Sequence, residues 1–171
     1  MSRACHSWLN QTAMSIDRAS AMVRASSLKF DNGDFPGALR EISEAMCLNP
    51  GCMGNFLKRA IFRQHLGDHD GAAKDLSVDI QANPKGDAAF VLRAMPRLEL
   101  HDFSGVLDDA SEALRLQTQN TLDTLRCRAE AKRHLGDYLG AGGDASESIR
   151  LNPYKDGAAA AYCTRGLVKM D

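Results

Sequence analysis

Three short turns recur along the 171-residue chain at a nearly constant interval. They read Gly33-Asp34-Phe35-Pro36-Gly37-Ala38, Gly67-Asp68-His69-Asp70-Gly71-Ala72 and Gly136-Asp137-Tyr138-Leu139-Gly140-Ala141, with a degenerate copy at His101-Asp102-Phe103-Ser104-Gly105-Val106. Their starts at 33, 67, 101 and 136 lie 34, 34 and 35 residues apart. A second marker follows each turn: Asn49-Pro50, Asn83-Pro84, the substituted Gln117-Thr118, and Asn152-Pro153. A third reads Arg59-Ala60, Arg93-Ala94, Arg128-Ala129 and Arg165-Gly166, the last delayed by an insertion at Asp156-Gly157-Ala158. Separate markers on one period mean tandem copies of a single supersecondary unit, each too small to bury its own apolar face, so the copies must stack.

Each copy reads as two helices. Met53 to Leu66 has Phe56, Ala60 and their aliphatic neighbours at helical spacing and stops at a Gly-Asp pair suited to a helix C-terminus. Asp70 to Ala82 follows Asp68, a candidate N-cap, and ends at Asn-Pro, where proline disfavours helical geometry in the preceding residue. Small residues fall where helix A would cross helix B: Ser26, Ala38 and Ala45; Ala60 and Ala72; Ala94 and Ala113; Ala129, Ala141 and Ser148. Larger ones, Met22, Phe56, Phe90, Leu125 and Tyr162 in A with Ile42, Leu48, Leu76, Ile80, Leu116, Ile149 and Leu151 in B, are expected to fill the space between copies.

The period, the Arg-Ala or Arg-Gly step, the Gly-Asp turn and the Asn-Pro ending resemble the tetratricopeptide repeat family, over Ala19 to Asp171. The resemblance implies an all-α right-handed superhelix of about four helix-turn-helix repeats, at 19–52, 53–86, 87–120 and 121–155, plus a terminal helix in a partial repeat at 156–171. An N-terminal segment, 1–18, precedes them and is left open between helix and disorder. Asp79 stands where a small residue is expected, and Val106 replaces the turn alanine. Pro96 falls inside a helix A and removes the amide that would bond the Leu92 carbonyl, so a kink is expected there.

Composition narrows the function. Lys plus Arg at 21 against Asp plus Glu at 22 leaves a net charge of -1, without the basic footprint of a nucleic-acid or membrane-surface binder, and this also argues against an RNA-reading pentatricopeptide array. Five cysteines, Cys5, Cys47, Cys52, Cys127 and Cys163, form an odd set with no CxxC spacing, which favours reduced thiols and the cytoplasm. Against that, Arg3, Arg18, several serines and the single acid Asp17 give Met1–Arg18 part of the pattern of an organelle transit peptide. Gly140-Ala141-Gly142-Gly143-Asp144-Ala145 fits G-x-G-x-x-A, but a dinucleotide site needs a preceding strand, and the sequence offers none. His65 and His69 are four apart yet flank the Gly67 turn and lack a third ligand. Asp68-His69-Asp70-Gly71 is too compact for a calcium loop. The expectation is a non-enzyme with no catalytic, metal or cofactor residues.

Two sets of residues remain. Helix A has basic residues four apart, Arg59 and Arg63, Arg93 and Arg97, Arg128 and Lys132, Arg165 and Lys169, while Asp75, Asp109 and Asp144 in helix B lie sixteen after Arg59, Arg93 and Arg128. Like charges on one helix face repel unless something offsets them, so structural ion pairs are expected between these arginines and aspartates, with ligand capture as the alternative role. In the repeat frame the inner helix A surface carries Leu57, Lys58 and Ile61; Val91, Leu92, Met95 and Leu98; and Arg126, Cys127, Glu130 and Arg133. An aliphatic strip with charged flanks suits a peptide or an amphipathic helix. The resemblance to carboxylate-clamp co-chaperones stops at Lys58, because the other clamp places hold Val23, Ser27, Ala88 and Leu92. The expected role is a protein-interaction scaffold or adaptor with a protein or peptide partner and neither nucleic acid nor membrane. The alternative is an accessory or regulatory module of a chaperone or enzyme complex, or a piece of a longer protein.

Overall fold

The computed structural model describes the backbone of residues 3–152 and the side chains of residues 13–152. The expected partial repeat at 156–171, with Tyr162, Arg165, Gly166 and Lys169, lies outside them. Every regular element among the described residues is a helix: α1 (Arg3–Asp31), α2 (Phe35–Leu48), α3 (Gly54–His65), α4 (His69–Ala82), α5 (Asp87–Glu99), α6 (Phe103–Arg115), α7 (Thr121–His134) and α8 (Tyr138–Leu151). The chain divides into two units, Met1–Ala82 and Asn83–Asp171, each built of helical hairpins.

The recurrent turn has two halves with separate physical jobs. Its first residue ends a helix in the left-handed conformation, with φ of 81°, 76° and 81° at Gly33, Gly67 and Gly136. The following aspartate amide then reaches back to the last turn, as in Asp34 N–H to Lys29 O at 2.8 Å and Asp68 N–H to Arg63 O at 2.9 Å, capping carbonyls that would otherwise lack partners. The same aspartate starts the next helix. The carboxylates of Asp34, Asp68, Asp102 and Asp137 accept from the amides of Gly37, Gly71, Gly105 and Gly140 at 2.9, 2.9, 3.0 and 2.9 Å. A Cβ on any of those four glycines would stand 2.0–2.1 Å from a carboxylate oxygen of its cap, so the aspartate and the glycine three places on are required together.

In the first unit Ala38, Ile42 and Phe62 form the core, with Val23, Phe30, Leu39, Met46 and Ile61 against it. Phe30 lies on Phe62 at 4.9 Å, and His65 closes the layer against Phe30 and Phe35 at 4.8 and 4.9 Å. The second unit gathers Ala94, Val106, Cys127 and Ala131, flanked by Leu98, Phe103 and Leu107. There Phe103 stacks on His134 at 4.2 Å, repeating the Phe35–His65 contact between the start of one hairpin's helix B and the end of the next helix A. The small crossing residues are buried as expected, except Ser148, which is half-buried. Leu151 departs from its expected core role: it is the last residue of α8 and is exposed. α1 starts at Arg3, so the helix reaches back through the segment ahead of the first repeat. α5 runs through the buried Pro96 to Glu99.

His101 occupies the turn position that glycine holds elsewhere, at φ 59°. A side chain there costs about 1 kcal/mol, so His101→Gly should raise stability by about that amount in urea unfolding. Asp79 is half-buried in α4, and burial pushes its carboxyl upward. The folded chain therefore binds that proton more tightly than the unfolded chain, and the charged form destabilises the fold at neutral pH. Asp79→Asn should raise Tm at neutral pH, with the gain shrinking as pH falls through the raised folded pKa and gone below about 4.

Candidate functional site

The basic pairs of helix A converge on one carboxylate per hairpin. Asp75 accepts from Arg59 Nη2 at 2.6 Å and Nε at 2.8 Å, and from Arg63 Nη1 at 2.9 Å. Asp109 meets Arg93 at 2.6 and 2.9 Å and Arg97 Nη1 at 3.0 Å. Asp144 meets Arg128 at 2.6 and 2.8 Å and Lys132 Nζ at 2.9 Å. The three acid side chains are 4%, 2% and 7% exposed, so the like charges at i and i+4 are held together by a shared buried anion. The hydrogen bond to Asp75 raises the Arg59 guanidinium above its already high value. The second cation also ties the turn: Arg63 and Arg97 donate to Gly71 O and Gly105 O at 2.9 Å and approach the capping Asp68 and Asp102 at 3.4 and 3.3 Å. Lys132, a point donor without Arg's fork, stands 3.5 Å from Gly140 O.

The first hairpin keeps half of this arrangement, which the sequence reading missed. Lys29 Nζ bonds Glu41 Oε1 at 2.6 Å, and these residues lie 34 before Arg63 and Asp75. Ala25 takes the place of the first arginine, which hid the pair from a search for Arg-Asp spacing.

The residues expected on the inner surface separate by unit. Leu57, Lys58 and Ile61 are half-buried on α3, with Ile61 against the first core. In the second unit Met95, Leu98 and Glu99 of α5 and Arg126, Cys127 and Glu130 of α7 line a cleft of about 260 Å³. Glu99 was not singled out from the sequence. Val91 and Leu92 are half-buried on α5 beside it in sequence, and Arg133 joins the rim by bonding Glu130. Met95 is 43% exposed, while Cys127 is 4% exposed and forms the floor, with its sulfur 3.7 Å from Met95 Sδ. Burial pushes the Cys127 thiol up, keeping it protonated and apolar at neutral pH. Arg133, and less strongly His134, hold the Glu130 carboxyl below the usual range.

The other motifs of the sequence fall in turns and helices. Among the described residues no three or more His, Cys, Asp or Glu side chains gather as a metal site. His65 and His69 end α3 and begin α4, with His65 packed between rings. The glycine-rich stretch lies in α8, with the Gly140 amide on Asp137 and Asp144 in its ion cluster. A second cleft, about 320 Å³, is lined by Arg18, Ser43, Glu44, Cys47 and Leu48 in the first unit.

Removing one partner of a buried pair strands the other, at about 3–5 kcal/mol. Asp109→Asn should therefore lower unfolding free energy by about 3 kcal/mol in urea. Unchanged stability together with lost partner binding would move Asp109 from structure to ligand capture.

No family model matches the sequence, and no curated protein matches it. Solved structures do match in shape. The crystal structure of MamA protein aligns at a TM-score of 0.80 and 19% identity, over 89% of this chain and 81% of that one. A tetratricopeptide repeat protein from Parabacteroides merdae aligns at 0.78 and 17% identity, over 90% and 60%. The first TPR of Spaghetti (RPAP3), bound to an HSP90 peptide, aligns at 0.65 and 18% identity, over 70% and 94%. With the helical hairpins and the recurrent turn on the same period, these alignments show that the chain has the tetratricopeptide-repeat fold.

Proposed function

We propose that the chain is a non-catalytic protein-interaction scaffold that seats a peptide or an amphipathic helix on its helix A surfaces. One observation carries this reading: the α5–α7 cleft combines an apolar floor, Met95, Leu98 and Cys127, with a charged rim, Glu99, Arg126 and Glu130. That is the composition of a small interface core rather than of a reaction centre. The HSP90 peptide seen on the RPAP3 repeat supports a peptide as the partner class. Leu57, Lys58 and Ile61 supply a contact face on the first unit. An accessory role in a chaperone or enzyme complex uses the same face and differs only in what is bound.

A net charge of -1 supports a protein partner over nucleic acid. No described helix is long and apolar enough to cross a membrane, and the free Cys47 and Cys52, both exposed, fit the cytoplasm.

Affinity capture from native extract tests the reading. Met95→Glu should remove the captured partner, and Leu139→Glu, at a side chain 83% exposed on α8, should not. Equal capture by both variants would refute the cleft as the binding face.

A further inference from the structure

The cleft has a charge direction along its length. α6 packs antiparallel to α5, since Arg93 reaches Asp109 while the later Arg97 reaches the earlier Gly105. It is also antiparallel to α7, since Phe103 at its start meets His134 at the end of α7. α5 and α7 therefore run parallel. The Met95–Cys127 sulfur contact fixes their level. Arg126 starts near that level and its guanidinium is drawn back toward Asp123, three residues nearer the start of α7, whereas Glu99 and Glu130 stand about one turn further on, roughly 4.5–6 Å along the axes. Glu130 is already engaged by Arg133 and His134. Glu99 makes no ion pair among the described residues, and Arg126 pairs with Asp123 only at 3.9 Å with both side chains about half exposed. One cation and one anion are thus available to a ligand, on either side of an apolar floor.

Size and backbone chemistry define the occupant further. A cleft of about 260 Å³ is smaller than the ~300–1,000 Å³ that holds a drug-sized molecule, so it suits one large side chain. Its walls are helices, whose backbone groups bond within themselves apart from the Leu92 carbonyl, whose i+4 amide Pro96 removes, and no side-chain amide lines it. An extended peptide would lay its own N–H and C=O groups there without partners, whereas a helix brings them satisfied.

We propose, building on the interaction reading above, that the α5–α7 cleft binds a helical segment carrying one large apolar anchor with an acid one turn to one side and a base one turn to the other. The anchor enters between Met95 and Cys127, the acid meets Arg126, and the base meets Glu99.

Fluorescence anisotropy with a labelled alanine-rich helical peptide containing Glu-x-x-x-Met-x-x-x-Lys tests this. The peptide should bind the full chain, and replacing its Met by Ser should weaken binding at least about tenfold. Replacing its Lys by Glu should weaken binding about fivefold at low salt, and the Glu99→Lys protein should recover that peptide by a similar factor. Equal binding of the three peptides, or no recovery by Glu99→Lys, overturns the proposal. If no peptide binds while Met95→Glu still abolishes capture from extract, this partner chemistry is wrong and the binding face stands. If capture ignores Met95→Glu, both fall.

Discussion

A carboxylate held almost out of water between two cations of the preceding helix is the interaction on which each later hairpin rests. Asp75, Asp109 and Asp144 would be costly to bury alone. The first cation contributes a two-pronged bond and the second a single one, so both carboxylate oxygens are used. In the hairpins of Asp75 and Asp109 the charges balance, because the second arginine also approaches the capping Asp68 or Asp102. Two acids and two bases then join three places: the last turns of helix A, the N-cap of helix B and the middle of helix B. Such a cluster adds less net energy than its bond count suggests, since desolvation offsets much of the attraction. Its effect is register: a slip by one residue would leave a buried charge without a partner.

That arrangement also decides which side of helix A is left for the proposed ligand. On α5, Arg93 and Arg97 turn toward α6, which places Met95, Leu98 and Glu99 along the cleft with α7. The apolar core keeps the same division. Cys127 belongs to both the core and the cleft floor, which makes the proposed binding surface continuous with the packed interior of its unit. In the proposed mode of binding, the buried Cys127 leaves little side chain on the floor to order when an anchor enters.

Much of this was legible in the chain because hairpin geometry is local. An antiparallel pair with a fixed turn converts an offset of sixteen residues into a contact, so Arg59–Asp75, Arg93–Asp109 and Arg128–Asp144 could be read from spacing. The Asp-x-x-Gly turn was visible as a pattern, although the carboxylate standing where a glycine Cβ would be is a feature of coordinates only. Contacts between successive hairpins were harder. Glu99 joins the cleft because α7 lies against α5, a contact between successive hairpins that no single-helix periodicity encodes. The ring contacts of His65 and His134 had a signal that went unused: each histidine falls six residues after a marker arginine, Arg59 or Arg128. Leu151 takes a core place by its position in the repeat, yet as the last residue of α8, directly before the Asn152-Pro153 marker, it is exposed.

The central claim concerns coupling between specific side chains, and a double-mutant cycle measures it directly. Unfolding free energies in urea would be compared for the native chain, Arg93→Leu, Asp109→Leu and the double variant. A buried shared-anion cluster predicts single losses of about 3 kcal/mol each and a coupling of about 2 kcal/mol or more, so that the double variant is far less damaged than the sum. Additive losses within about 0.5 kcal/mol would contradict it.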